Sequence, residues 1–219
     1  MMWDKWKEKW ELACEAVRRL GGDSEGVTIL NRAVEESVIV VEKKIGMRLP
    51  DAFRKVVLEF AAGIDFEWRL PDEIKFPDEF RGIFAGQFTW NLKDIPEINE
   101  SKDGWVRECF SNEDDPYDKV WHNKLGLMEV GNGDFIAFDL KEYPKKAPIV
   151  YLSHDDGEGH GYVLGDDFID FMGRWTNIGC PGLEDWQMLP FIDSTTSGIN
   201  PYGKNAIAWR ALLGLNFEI

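Results

Sequence analysis

The chain has 219 residues, and its 25 Lys and Arg against 40 Asp and Glu give a formal net charge of −15 at pH 7. Such an acidic surface repels phosphates and anionic lipids, which argues against sequence-independent nucleic-acid binding and against binding to membrane surfaces. Hydrophobic residues make up 44% of the chain and aromatic residues 13%. Both fractions are typical of globular proteins, so the charge favours a folded domain that faces water or a basic partner.

Three cysteines, Cys14, Cys109 and Cys180, lie far apart in the sequence and form no Cys-x-x-Cys pair. An odd and sparse set is a poor disulfide framework, so a reduced, intracellular protein is expected. The N-terminus is charged from its fourth residue, and no apolar run approaches the roughly 18 residues that a transmembrane helix needs. We therefore expect a cytoplasmic protein without a membrane span.

A helix is predicted within residues 1–22 because apolar side chains recur there at steps of three and four. The stripe consists of Trp3, Trp6, Trp10, Ala13, Val17 and Leu20. Gly21 and Gly22 are expected to end this helix. A tryptophan stripe can bind a partner, but packing against the rest of the chain is the favoured interpretation.

Two further helices are predicted before residue 63. The apolar stripe of the second helix consists of Leu30, Val34, Val38, Val41 and Ile45. Gly46 is expected to end it. Pro50 and Asp51 favour the start of the third helix, because proline fits the first turn and a carboxylate suits the N-terminal dipole. The apolar face of the third helix consists of Phe53, Val56, Val57 and Phe60. Gly63 is expected to end this helix.

The apolar periodicity changes after residue 63. Residues 64–80 combine aromatic residues with carboxylate-proline steps and are predicted to form a loop with short extended pieces, whereas residues 82–90 are aromatic and strand-like. A short helix is predicted within residues 94–108. The segment 111–118, SNEDDPYD, is predicted to be an exposed acidic loop.

The clearest β signal is a hairpin in the second half of the chain. Residues 127–130 lead into Gly131-Asn132-Gly133-Asp134, whose residues tolerate positive φ and therefore suit a tight turn. The return arm, residues 135–140, is apolar on both faces and is predicted to be a central strand.

Two more strands and a helix are predicted after this hairpin. Residues 149–152 and 162–164 are short apolar runs, and a glycine-rich acidic loop at 153–161 separates them. The spacing of the aromatic residues at 168–175 predicts a closing helix. Residues 176–219 carry turn motifs and a later apolar segment, so the chain is interpreted as one domain with extensions at both ends.

Recognisable catalytic motifs are absent from the sequence: it has no phosphate-binding Gly-rich Lys motif, no dinucleotide-binding glycines and no His-Glu-x-x-His. Ser153-His154-Asp155 is not expected to act as a triad, since adjacent residues of an extended chain point to opposite sides. The loop carrying His154, Asp155, Asp156, Glu158 and His160 offers metal-ligand types, but without a recognised spacing. A solvated acidic turn is favoured, and we expect no catalytic residues, cofactor or metal.

Several of these segments together resemble the SMI1/KNR4-like (SUKH) superfamily. The first half contributes Val41-Glu42, Ile45-Gly46 and Leu49-Pro50, followed by Phe53, Leu58, Phe60 and Gly63. The second half contributes GNGDFIAFDL at 131–140, APIVYLSHD at 147–155 and GDDFIDFMGRW at 165–175. The resemblance covers about residues 30–175 and rests on the order of the pieces, because none of them is specific alone.

The resemblance implies an α+β fold in which helices pack against a single, mainly antiparallel sheet. Together with the residue patterns at both ends, which lie outside the resemblance, it gives a three-part organisation: an N-terminal amphipathic helix at 1–22, the SMI1/KNR4-like domain at 30–175, and a C-terminal extension at 176–219 packed on the same domain. It also implies that Gly131, Gly133 and Asp134 form a turn. Bacterial members of the superfamily resemble immunity proteins, which neutralise a toxin domain by binding it. The family has no set of catalytic residues that could be assigned to positions of this sequence.

The combined prediction is a non-enzymatic immunity protein whose partner is a cognate, basic toxin domain, of a nuclease type or another type acting on nucleic acid. The expected contacts are the acids of the two predicted loops: Glu113, Asp114, Asp115, Asp118, Asp155, Asp156 and Glu158. A scaffold or peptide-binding module that uses the tryptophan stripe is the alternative. A metal-dependent enzyme centred on His154 and His160 is less favoured.

Overall fold

A computed structural model describes residues 2–216, and the last three residues of the predicted C-terminal extension and Met1 of the predicted N-terminal segment lie outside that range. The α-helices within it are α1 (Met2–Arg19), α2 (Glu35–Ile45), α3 (Asp51–Glu59), α4 (Ile95–Glu108), α5 (Asp118–Trp121), α6 (Phe168–Ile178), α7 (Asp185–Met188) and α8 (Lys204–Leu213). The strands are β1 (Asp23–Ile29), β2 (Gly63–Arg69), β3 (Ala85–Asn91), β4 (Lys124–Glu129), β5 (Phe135–Asp139), β6 (Ile149–Leu152) and β7 (Val163–Gly165). The α+β class predicted from the sequence is confirmed.

The strands form two antiparallel sheets, so the prediction of a single sheet is wrong. One sheet has the order β1-β2-β3 and the other the order β4-β5-β6-β7. The extra sheet arises from β1, for which no element was predicted, and from β2, whose residues were predicted to form a loop with short extended pieces. In β2 buried and exposed side chains alternate, with Ile64, Phe66 and Trp68 facing the core and the charged residues between them facing solvent.

The second helix begins later than its apolar spacing predicts. Leu30 and Val34 are 40% and 60% exposed, and α2 starts at Glu35. The Leu30 N–H instead donates to the Gly63 carbonyl oxygen at 2.9 Å, which extends the pairing of β1 with β2. The predicted end is correct, because Gly46 has φ +73° and caps the helix in the left-handed conformation. Gly63 opens β2, four residues after the last residue of α3.

The tryptophan stripe of α1 is part of the main core. Trp3, Trp6 and Trp10 surround the ring of Phe60, with centroid separations from it of 5.3, 6.1 and 6.0 Å. Trp10 has no exposed surface, and its indole N–H donates to the Thr176 hydroxyl at 2.9 Å. The interpretation that α1 packs against its own chain is therefore confirmed.

The segment after α6 packs on the same core. The indole N–H of Trp68 in β2 donates to the Cys180 carbonyl oxygen at 2.9 Å. Trp209 of α8 is fully buried against Trp68 and Phe80. These contacts join the first sheet to the C-terminal residues by aromatic burial, which makes a large contribution to folding.

The hairpin of β4 and β5 is confirmed, and β5 is an interior strand with β4 on one side and β6 on the other. The side chains of β5 and β6 alternate between two buried clusters, because neighbouring residues of a strand face opposite ways. One face joins the main core. The other face forms a smaller cluster, which consists of Phe110, Trp121, Phe135, Ala137, Val150 and Leu152.

Candidate partner-binding face

The two acidic segments that the sequence singles out, 111–118 and 153–161, lie next to each other. The ring of Tyr117 stacks on the ring of His160 with 3.8 Å between centroids. The Tyr117 hydroxyl donates to the Ser153 carbonyl oxygen at 2.5 Å and accepts the backbone N–H of Asp156 at 3.0 Å. We call the surface formed by these two segments the acidic face. One tyrosine therefore holds together acidic residues that are about 40 positions apart in the sequence.

His160 fixes the other side of this junction. The Ser153 backbone N–H donates to His160 Nδ1 at 3.0 Å, and His160 Nε2 lies 3.0 Å from the Tyr117 carbonyl oxygen. Because Nδ1 accepts a hydrogen bond, the neutral ring must carry its proton on Nε2 and donate it to Tyr117. Burial lowers the pKa of His160 and so favours this neutral form. Both ring nitrogens are engaged with backbone groups, so His160 contributes to structure here.

Most of the predicted contact residues are exposed on this face. The exposed ones are Glu113, Asp114, Asp155, Asp156 and Glu158. Among the described residues, only Glu113 of these five lies within 4 Å of a basic side-chain nitrogen: its carboxylate is 3.6 Å from His122 Nδ1. The remaining carboxylates of this set face solvent without a cationic partner.

Asp115 and Asp118 are half-buried, so the prediction that all seven acids are exposed is wrong for these two. The Asp115 carboxylate accepts the backbone N–H groups of Tyr117 at 2.8 Å and Asp118 at 3.2 Å. The Asp118 carboxylate accepts the Asn112 N–H at 3.0 Å. Aspartates commonly bond to nearby backbone amides in turns and at helix starts, and here they shape the loop that presents Tyr117.

A fully buried carboxylate anchors the second loop to the hairpin turn. Asp134 Oδ1 accepts the His154 backbone N–H at 2.8 Å and lies 2.6 Å from His154 Nδ1. Its Oδ2 accepts Asn132 Nδ2 and the Tyr151 hydroxyl, both at 2.7 Å. Burial, together with this carboxylate, raises the pKa of Tyr151. Asp134 therefore does more than form the predicted turn: it connects the turn, β6 and the acidic face.

The hydrogen bonds around Asp134 also involve the residues whose types could suggest a metal site or a catalytic triad. Potential ligand atoms of Asp134, His154 and Asp155 lie within 4.8 Å of one another. Both oxygens of Asp134 already accept hydrogen bonds from neighbouring groups, so a cation would have to displace them. The Ser153 hydroxyl donates to Asp155 at 2.9 Å, while the His154 ring faces Asp134. Serine and histidine are thus directed to different carboxylates, as the adjacency argument predicted.

Two further acids belong to this neighbourhood, and the sequence analysis missed them. Asp185 is 7% exposed, and its Oδ2 accepts the Gly159 N–H at 3.1 Å. A Cβ on Gly159 would lie 2.5 Å from the Asp185 Cβ, so glycine is needed for this approach. Burial raises the pKa of the adjacent Glu184, and the Asp185 and Asp134 carboxylates add to the effect. The glycines of the 153–161 loop were the available signal, since a glycine often marks close backbone approach.

Comparison with known protein families gives one match: residues 33–174 match the SMI1 / KNR4 family (SUKH-1). The matched range covers about two-thirds of the chain and includes both segments of the acidic face. The chain belongs to the SMI1 / KNR4 family. The SUKH family is known for immunity-type domains, which are generally non-enzymatic. No curated protein and no solved structure gave a significant match.

The family assignment divides the molecule into a matched part and flanking parts. Helix α1, the last four residues of α6 and all of the described segment after α6 lie outside the match, although α1 and the C-terminal segment both pack on the common core. None of the helices between residues 2 and 216 combines the length and apolarity needed to cross a membrane.

Proposed function

We propose that this SUKH-1 protein is a cytoplasmic immunity protein that binds and neutralises a cognate toxin domain of a polymorphic or contact-dependent toxin system. The toxin is a basic domain of a nuclease type or another type that acts on nucleic acid. The observation that carries the proposal is the acidic face, on a domain of a family known for immunity proteins: apart from the contact between Glu113 and His122, its exposed carboxylates form no ion pair within residues 2–216.

Charge complementarity supports this class of partner. An enzyme that acts on nucleic acid must present cations to phosphates, and exposed carboxylates can occupy the same positions. Asp155, Asp156 and Glu158 carry their charges within four residues of one loop. A surface of complementary sign also accelerates diffusional encounter, which benefits an inhibitor that must act before the toxin does.

The organisation of the acidic face supports a binding role as well. Tyr117, His160 and Ser153 hold the two segments together through stacking and backbone hydrogen bonds. Ordering a loop at the moment of association lowers affinity, whereas a preorganised surface avoids this cost. The contacts therefore fit a surface that binds without first folding.

The alternatives have less support from the contacts. Trp3, Trp6 and Trp10 are 8%, 5% and 0% exposed, so a scaffold that binds peptides through this stripe loses the observation that motivated it. A metal-dependent enzyme centred on His154 and His160 would require His160 to release at least one of its two backbone hydrogen bonds, because both ring nitrogens are engaged.

Co-expression with the toxin encoded beside this gene tests the proposal. Cells that produce both proteins should survive, and cells that produce the toxin alone should not. The triple variant Asp155→Asn, Asp156→Asn, Glu158→Gln should lose protection. A matched control, Glu8→Gln, Glu11→Gln, Glu15→Gln, removes the same charge from exposed positions of α1 and should keep it. Absence of both rescue and a complex with the adjacent toxin would contradict the proposal.

A further inference from the structure

Strand β1 is the outermost strand of the first sheet. It pairs with β2 along one side, and no other strand within residues 2–216 pairs with it. The outermost strand of a sheet leaves backbone N–H and C=O groups unpaired along its open side. An extended peptide can bond to such groups and add to the sheet as a further strand. The open side of β1 is therefore a position at which a partner segment could add.

One hydrogen bond establishes which backbone groups of β1 are open. The Leu30 N–H donates to the Gly63 carbonyl oxygen of β2 at 2.9 Å, and the register continues from this pair to Thr28 without a shift. In an antiparallel ladder the bonded pairs alternate along the strand, so Thr28 also bonds to β2. Val27 and Ile29 therefore direct their N–H and C=O groups away from β2. In the described part of the chain, no turn or side-chain hydrogen bond engages these groups.

The open stretch begins after a bulge in β1. The register of the strand shifts between Asp23 and Gly26, and Gly26 has φ +92°, a left-handed conformation that favours glycine. A bulge interrupts regular pairing, so the usable edge consists of residues 27–30. A lysine or a proline commonly blocks pairing at a sheet edge, and this stretch contains neither. The edge is short but unprotected.

The outer face of the sheet beside this edge is acidic. A groove of about 320 Å³ runs across β1 and β2. Four residues that line it carry exposed carboxylates: Asp23, Glu25, Asp65 and Glu67. Arg69 also lines the groove, but its guanidinium pairs with Asp72 at 3.6 Å. None of the four groove carboxylates forms an ion pair with any residue between 2 and 216.

The register places two of these carboxylates directly behind the open edge. Gly26 lies opposite Glu67, and Thr28 lies opposite Asp65. Residues that lie opposite each other in a pair project to the same face of the sheet. Because Gly26 has no side chain and Thr28 a short one, neither blocks the path from an added strand to the carboxylates. Such a strand would lie roughly 10 Å from β2, which a lysine or arginine side chain can bridge.

We propose that β1 accepts an extended, basic segment of a partner protein as a fourth strand of the first sheet. The backbone of this segment pairs with Val27 and Ile29. Its alternate Lys or Arg side chains lie over Asp65 and Glu67. The site shares no residue with the acidic face and does not depend on the proposed function. A second copy of this chain fits less well, because joining two β1 edges would bring two acidic grooves together.

Three labelled peptides test strand addition by fluorescence anisotropy at roughly physiological ionic strength. The first alternates Lys and Val, the second has the same sequence with every Val N-methylated, and the third alternates Glu and Val. The N-methyl groups remove the N–H donors that would face β1 but keep the charge. The wild-type protein should bind the first peptide about tenfold more tightly than the second, since at least two backbone hydrogen bonds are lost. It should not bind the third.

Variants of the edge and of the groove locate the binding. Ile29→Pro removes an open N–H, and proline is tolerated at an edge position whose N–H faces solvent. It should weaken binding of the Lys-Val peptide by about fivefold. The double variant Asp65→Asn, Glu67→Gln should have a similar effect. The matched control Asp156→Asn, Glu158→Gln removes the same charge from exposed positions of the acidic face and should leave binding unchanged.

Several outcomes would overturn the inference. Equal binding of the Lys-Val peptide and its N-methylated form would show that charge alone attracts the peptide. An equal loss of binding in the acidic-face control would place the peptide elsewhere, and a wild-type dimer that Ile29→Pro dissociates would assign the edge to a second copy. If Ile29→Pro does not fold, hydrogen exchange of the wild type replaces it: the Val27 and Ile29 amides should gain protection from the Lys-Val peptide, and unchanged exchange would contradict the site. None of these measurements involves the toxin, so they are independent of the rescue experiment.

Discussion

The tryptophans of α1 and the single tryptophan of α7 show how similar residues take opposite roles. Trp3, Trp6 and Trp10 form a regular stripe and are buried around Phe60. Trp186 lies in a four-residue helix without a stripe and is 44% exposed beside buried Asp185. Helical spacing signals burial because it gives a helix one continuous apolar face to pack. Trp186 has no such stripe to pack, and nearly half of its side chain stays exposed.

The largest expected effect is the loss of stability on removing a buried tryptophan of α1. Trp10→Ala should lower the free energy of unfolding by about 4 kcal/mol, because it leaves a cavity between Phe60 and Trp175 and removes the partner of Thr176. Trp186→Ala should cost about 1 kcal/mol or less. Urea unfolding measures both values, and comparable losses would contradict the contrast between the two regions.

The second-largest expected effect is the loss of stability on removing Asp134, the buried carboxylate that anchors the acidic face. Asp134→Ala should lower the free energy of unfolding by about 3 kcal/mol, since the buried hydroxyl of Tyr151 and the half-buried donors of Asn132 and His154 lose their acceptor. Asp65→Ala is a matched control, because that aspartate accepts the Thr89 hydroxyl on the exposed face of β2. It should cost about 0.5 kcal/mol. Equal effects in the two variants would show that Asp134 is not an anchor.

The smallest expected effect is a loosening of the acidic face at low pH. Burial lowers the pKa of His160 in the folded state below its usual value near 6.5, so the unfolded chain binds the proton first. The stabilising contribution of His160 is therefore complete above that usual value and is lost as the pH falls through the folded-state pKa. The carboxylates of Asp134 and Asp156 favour protonation of His160, whereas burial and the charge of Lys124 oppose it.

Hydrogen exchange tests this pH dependence at single amides. The Ser153 amide, which donates to His160 Nδ1, should exchange faster on acidification than expected from intrinsic rates. The Trp10 region of α1 should show no such change. The variant His160→Gln should remove the dependence. Equal protection of the Ser153 amide above and below the usual histidine pKa would show that the ring does not control this junction.

Local patterns in the sequence predict much of the fold. Gly46 ends α2 and Pro50 precedes α3 as expected, and the turn at Gly131–Asp134 joins β4 to β5. Of the first sheet, only β3 was predicted as a strand; β2 was missed because it carries three charged residues and begins at a glycine that was expected to end a helix. Its assignment depends on pairing with β1 and β3, which lie elsewhere in the chain. Such non-local contacts override local propensity.

The candidate site was only partly predictable for the same reason. The loops at 111–118 and 153–161 are visible from composition, but their contact through Tyr117 and His160 is tertiary. Asp115 and Asp118 look the same as Asp114 in the sequence, yet they turn towards backbone amides. The participation of Asp185 depends on the packing of a segment more than 20 residues downstream of the acidic loop.

Hydrogen exchange on a complex with the adjacent toxin domain is the most direct test that the partner binds the acidic face. The account predicts increased protection of residues 111–118 and 153–161. It predicts no change on the solvent-facing side of α1. Protection confined to α1, or to any surface that excludes both acidic segments, would contradict the central claim.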